Sequence, residues 1–151
     1  MTRTVLITGA GSGLGLTISR HLWQLGYQVA MADIAIDAAC EGARQIDAEG
    51  QRLLPLALDI REPEHFHAAL ARIDERFGGL DVLVNNAALT LTTPIMEISV
   101  EEFDRVTSTN LRGTFLGCQI VGRYFSQRRQ GNIINLCLLY TSDAADELDG
   151  V

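Results

Sequence analysis

The stretch Thr4-Val5-Leu6-Ile7-Thr8-Gly9-Ala10-Gly11-Ser12-Gly13-Leu14-Gly15 decides the fold. Thr4–Thr8 is rich in β-branched residues and reads as a strand, and the glycines that follow read as a turn. Beyond the turn, Leu14, Ile18, Leu22 and Leu25 recur near 3.6-residue spacing until Gly26 stops them, which predicts a helix. A strand that feeds a glycine turn and then a helix makes a phosphate site. The helix start presents unpaired N–H groups and partial positive charge, and glycine lets a pyrophosphate approach the backbone.

The pattern continues outward from this unit. Gln28–Ala32 reads as a second strand and ends at Asp33, about twenty residues past the turn, where a carboxylate can accept hydrogen bonds from both hydroxyls of an adenosine ribose. A carboxylate there repels a 2′-phosphate, and Ile34 and Ala35 bring no cation, so the expected cofactor is NAD rather than NADP. Asp37 to about Glu49 reads as a helix closed by Gly50, and Leu53–Leu58 as a third strand ending at Asp59. Pro63 opens a helix through Phe66, Leu70, Ile73 and Phe77 that Gly78-Gly79 stops. Asp81–Val84 reads as a fourth strand leading into Asn85-Asn86-Ala87-Ala88, and Thr90–Ile98 as loop. Ser99 and Glu102 form a capping box before a long helical stretch to about Arg129, and Asn132–Leu136 reads as a fifth strand. Strand–helix alternation of this kind predicts an α/β, Rossmann-like, doubly wound parallel sheet of order 3-2-1-4-5, ending after the fifth strand, in one domain over residues 1–136.

Composition agrees with this class. The 151 residues are 47% hydrophobic but only 6% aromatic, which suits a Val/Leu/Ile/Ala core between helices and a parallel sheet. A net charge of −7 argues against nucleic acid or an anionic membrane as partner. All twelve basic residues are Arg, and the chain has no Lys. Three widely spaced cysteines, Cys40, Cys118 and Cys137, give no disulfide framework. The N-terminus lacks a signal-peptide layout and no apolar run reaches the ~18 residues of a membrane span, so a cytoplasmic, soluble chain is expected. His65 and His67 read as surface residues rather than metal ligands, Cys118 as a small buried hydrophobe, and no metal site is expected.

The spacing Thr8-Gly9-x-x-x-Gly13-x-Gly15 resembles that of the short-chain dehydrogenase/reductase family. Three further segments agree in order: Asp59-Ile60 after the third strand, Asn85-Asn86-Ala87-Ala88, which differs from the family's Asn-Asn-Ala-Gly in its last residue, and Asn110 in an Asn-x-x-Gly-x-Phe segment. The resemblance implies that Gly9, Ser12, Gly13, Leu14 and Gly15 surround the pyrophosphate of NAD and that Asp33 holds its ribose. It further implies that Asp59 and Ile60 flank the adenine, that Asn86 and Ala87 lie beside the cofactor, and that Asn110 serves catalysis. The implied activity is hydride transfer between NAD and a small-molecule alcohol or ketone, in a parent protein that forms a homo-oligomer. A non-catalytic dinucleotide-binding or regulatory module is the alternative. A methyltransferase also places an acid after its second strand, but the Thr8–Gly15 spacing and Asn85-Asn86-Ala87 argue against it.

The family's mechanism uses a Tyr hydroxyl as acid/base, a neighbouring Lys⁺ that lowers its pKa, a Ser that orients the substrate oxygen and an Asn that helps hold a proton-relay water. Only Asn110 has a counterpart here. The expected Ser position holds Leu138, Tyr140 stands too early and is followed four positions on by Ala144, and no Lys exists in the chain. The chain is therefore expected to be catalytically incomplete. Composition also breaks at Leu136: the last fifteen residues carry four acids and no base, against fifteen acids and twelve bases before them. Residues 137–147 resemble translated sequencing-adapter read-through, so 137–151 is expected to be a non-native or disordered tail.

Overall fold

The computed structural model describes residues 2–136. The expectations for the 137–151 tail, including Cys137, Leu138, Tyr140 and Ala144, lie outside the described residues. The elements run β1 (Thr4–Thr8), α1 (Gly13–Gln24), β2 (Gln28–Asp33), α2 (Ile36–Ile46), β3 (Leu53–Ala57), α3 (Pro63–Phe77), β4 (Val82–Asn85), α4 (Val100–Thr107), a π-helical turn (Ser108–Gly113), α5 (Thr114–Arg128) and β5 (Asn132–Asn135). Every strand pair is parallel, and the order is β3-β2-β1-β4-β5, as the alternation predicts.

Strand alternation sends successive side chains to opposite faces, and each face meets its own pair of helices. Leu6, Ala30, Ala32, Leu54, Leu56 and Leu83 pack with Phe66, Leu70 and Ile73 of α3 and with Leu116, Ile120, Val121 and Phe125 of α5. Val5, Ile7, Val29, Met31, Leu53 and Val84 pack on the other face with Leu16, Ile18 and Leu22 of α1 and with Ala43 and Ile46 of α2. The β1 strand is covered on both faces, and all five of its residues are buried. It pairs with β2 on one side and β4 on the other, so the chain leaves the centre of the sheet in both directions. The loops after β1 and β4 part at the carboxyl ends of these strands, where open α/β sheets form a crevice. No helix of the described residues is long and apolar enough to cross a membrane.

Two expectations need correction. The long helix expected from Ser99 to Arg129 is interrupted by the π-helical turn over Ser108–Gly113. Apolar periodicity alone carries no sign of this turn. Cys118 is half-buried rather than buried: its Sγ lies 3.5 Å from both Asn85 Nδ2 and Asn135 Oδ1, in a polar cluster between β4 and β5. The capping box at Ser99 is present as expected, with Glu102 N–H donating to Ser99 Oγ and Ser99 N–H donating to Glu102 Oε2.

Candidate functional site

A cleft of about 630 Å³ opens at the carboxyl ends of β1 to β4. Gly9, Ser12, Gly13, Leu14, Gly15, Asp33, Asp59, Ile60, Asn86 and Ala87 all line it, so the fold brings four separated sequence segments to one site. The α1 helix starts at Gly13 with extended backbone at Ser12, and its first turn carries no acidic residue. Ser12 makes no side-chain capping bond, which leaves the first-turn N–H groups and the Ser12 hydroxyl facing the turn unshared. An anion is the natural occupant of such a helix start.

Close approach explains the last glycine of the turn. A Cβ on Gly15 would lie 2.1 Å from Gly9 O and 2.6 Å from Asn86 Nδ2, so α1 begins hard against the turn and no side chain fits between them. The same corner is stitched to the loop after β4. Asn86 and Ala87 N–H donate to Thr8 Oγ1 at 3.0 and 3.1 Å, and Asn86 Nδ2 donates to Thr8 O at 2.9 Å and Gly9 O at 3.2 Å. One hydroxyl and one carboxamide thus fix both walls of the cleft. Thr8 and Asn86 are structural ties as much as lining residues.

Asp33 sits at the end of β2, half-buried and held at both oxygens. Gly11 N–H donates to Oδ2 at 2.8 Å and Ala35 N–H to Oδ1 at 2.9 Å. Each carboxylate oxygen can accept further bonds, so a fixed, acceptor-only group faces the cleft. Asp59 is arranged differently. Arg61 donates to it from Nε (2.9 and 3.1 Å), Nη2 (2.5 Å) and the backbone (3.0 Å), and these bonds hold the Asp59 carboxyl below its ordinary 3.8 against the opposing effect of burial. His65 Nδ1 accepts from Asp59 N–H at 3.1 Å, so this histidine orders the loop after β3.

Asn110 stands apart from the ten lining residues. It lies in the π-helical turn, and its side chain is bonded at both ends: Nδ2 donates to Leu89 O and Oδ1 accepts from Leu89 N–H, both at 2.8 Å. This two-bond clamp ties the turn to the loop after β4. The same turn brings Gly113 against the cleft, where a Cβ would lie 2.6 Å from the side chain of Ile60. The π-helical turn therefore backs the Ile60 wall and anchors the Leu89 wall at once.

Leu58, Arg61, Leu89, Arg105 and Thr109 also line the cleft and were not identified from sequence. Gly11 and Thr8, which hold Asp33 and Asn86, were read only as parts of the turn. The Asp59-x-Arg61 spacing in a loop is a signal that could have been read, since residues two apart in a turn can pair. The partners of Thr8 and Gly11 come from chain more than twenty residues away and leave no local signal.

The family model that matches is that of the short chain dehydrogenases, over residues 3–146. The chain is 33% identical over 138 residues to an L-2,3-butanediol dehydrogenase of Corynebacterium glutamicum, covering 89% of this chain and 54% of that one. The fold matches a short chain dehydrogenase from Bacillus anthracis with a TM-score of 0.87 at 31% identity, over 94% of this chain and 58% of that one. It also matches a 3-ketoacyl-(acyl-carrier-protein) reductase from Brucella melitensis, solved in complex with NADH, with a TM-score of 0.80 at 30% identity, over 88% of this chain and 56% of that one. The chain spans about half the length of the curated relatives it matches. With the family model matched over residues 3–146 and the fold in agreement with these structures, the chain belongs to the short chain dehydrogenase family.

Proposed function

We propose that the cleft binds NAD, and that the longer protein uses it to interconvert a small alcohol and ketone. The observation that carries this reading is the Asp33 carboxylate, held at both oxygens by backbone N–H groups at the rim of a cleft whose other end is a bare helix start. The residues fit such a group. The Gly9–Gly15 turn forms a cradle that a Cβ would fill, the first-turn N–H groups of α1 suit a pyrophosphate, and Asp33 offers acceptors to ribose hydroxyls. Ile34 and Ala35, both exposed, bring no cation that would receive a 2′-phosphate. When bound, the nicotinamide accepts or delivers hydride.

In this reading Gly9, Ser12, Gly13, Leu14 and Gly15 hold the pyrophosphate, and Asp33 orients the adenosine ribose. Asp59 and Ile60 receive the adenine, and Asn86 and Ala87 close the cleft beside the remainder of the cofactor. Asn110 acts through Leu89: it positions the loop after β4 rather than offering a free side chain to the substrate. A Tyr hydroxyl needs its pKa lowered from about 10 to work as acid/base near neutrality, and an adjacent ammonium does this. These 151 residues contain no Lys to supply it. The chain by itself is therefore a cofactor-binding half that does not turn over.

The complete lack of Lys also favours a second reading, a dinucleotide-binding module without chemistry. Steady-state assays of the 151-residue chain and of the longer gene product, with NAD and a panel of secondary alcohols, separate the two. Turnover by the longer product alone supports the dehydrogenase reading. Turnover by the 151-residue chain would refute the claim of catalytic incompleteness, and none by either, despite NAD binding, would favour the module. Thermal stabilisation by S-adenosylmethionine but not by NAD would overturn both.

A further inference from the structure

Four consecutive residues at the end of β3, Leu58, Asp59, Ile60 and Arg61, line one end of the cleft. Leu58 and Ile60 are buried, and the two charged side chains form a single unit. All four bonds that Arg61 gives Asp59 come from Nε, Nη2 and the backbone, so Nη1 and both faces of the guanidinium lie outside the pair. The Asp59 side chain is 14% exposed and that of Arg61 is 38%. A lone carboxylate this poorly hydrated, in a cleft that already holds Asp33, would repel an anionic ligand over several ångströms. The planar fork of Arg61 cancels that charge and fixes the direction in which the carboxylate points.

We propose that Arg61 is a positioning residue of the nucleotide site: it orients Asp59 and balances its charge, so that the adenosine end of an anionic nucleotide meets a preformed ion pair of zero net charge. The inference rests on the reading that the cleft takes a dinucleotide with its adenine at Asp59 and Ile60. The Arg61 guanidinium stays partly in solvent at the cleft rim, so its effect is expected in binding and in one half of the ligand.

The test is calorimetric titration of the whole 151-residue chain with NAD, AMP and nicotinamide mononucleotide. Arg61→Ala is expected to weaken NAD and AMP each by about tenfold, the scale of a lost charge-assisted hydrogen bond, and to leave the mononucleotide unaffected. Arg61→Lys, which keeps the charge but not the fork, is expected to recover part of that loss. In an Asp59→Asn background the Arg61→Ala change is expected to alter AMP affinity by less than about twofold, because Arg61 acts through the carboxylate. AMP binding by Arg61→Ala equal to that of the unsubstituted chain would overturn the proposal and leave the dinucleotide reading standing. An undiminished effect in the Asp59→Asn background would also overturn it, by making Arg61 an independent contact. An unsubstituted chain that binds neither NAD nor AMP would overturn the reading and the proposal together. Far-ultraviolet circular dichroism melts confirm that each variant is folded, and a melt lost only in Arg61→Ala would assign Arg61 to folding and overturn the proposal.

Discussion

Gly15 and Asp33 both line the candidate site. Their placement in one cleft was legible from the order strand, glycines, helix, strand, acid, because it follows from backbone geometry that a short sequence encodes. What holds them was not legible: Gly11 reaches Asp33, and Asn86 reaches Thr8, only once β1, β2 and β4 are side by side. Gly15→Ala would force a Cβ to within 2.1 Å of Gly9 O and 2.6 Å of Asn86 Nδ2. Neither neighbour is the free end of a flexible side chain, so the helix start must shift. A loss of about 2–4 kcal/mol in urea unfolding is expected, with NAD binding lost in a chain that still folds at low denaturant. Asp33→Ala removes the acceptors of Gly11 and Ala35 N–H and leaves both donors unpaired. It should cost about 1–2 kcal/mol of stability and weaken NAD at least about tenfold, read by chemical melts and calorimetry respectively. Unchanged NAD affinity in Asp33→Ala would remove this carboxylate from the site.

At the scale of elements, the strands and α1 to α3 were readable from periodicity and from Gly and Pro punctuation, with ends displaced by a residue or a few. The exception is the helix after Ser99, where apolar spacing cannot report a local π-helical turn whose Asn110 side chain meets a distant partner. That partner is the Leu89 backbone, which Asn110 clamps with two bonds. The opposite end of the sheet has its own tie between elements. Tyr124 of α5 donates to Asp74 of α3 at 2.5 Å and accepts from the N–H of Leu80, a fully buried residue, at 3.1 Å. Tyr124→Phe leaves that N–H without its acceptor and is expected to cost about 1–3 kcal/mol in thermal or chemical unfolding. Burial first, and the bond to Asp74 second, raise the Tyr124 hydroxyl above its ordinary 10.0. The folded state therefore holds this proton more tightly than the unfolded chain. Its contribution is complete below pH 10.0 and is lost as pH rises through the higher folded value. Stability measured across that alkaline range should fall more steeply for the unsubstituted chain than for Tyr124→Phe. Parallel curves would show that the hydroxyl is not so linked.

For the molecule as a whole, a five-stranded sheet brings four loops to one cleft, the cleft proposed to take a nucleotide, although the chain spans only about half of its curated relatives. The order of the motifs carried that architecture, whereas the Asp59–Arg61 unit and the Thr8 ties emerge only from the folded arrangement. Selection of NAD through Asp33, as proposed, is decided by calorimetry of the 151-residue chain and of Asp33→Ala with NAD and NADP. The unsubstituted chain is expected to bind NAD at least about tenfold more tightly than NADP, and that preference should disappear in Asp33→Ala. NADP binding as tight as NAD in the unsubstituted chain, or no binding of either, would contradict it.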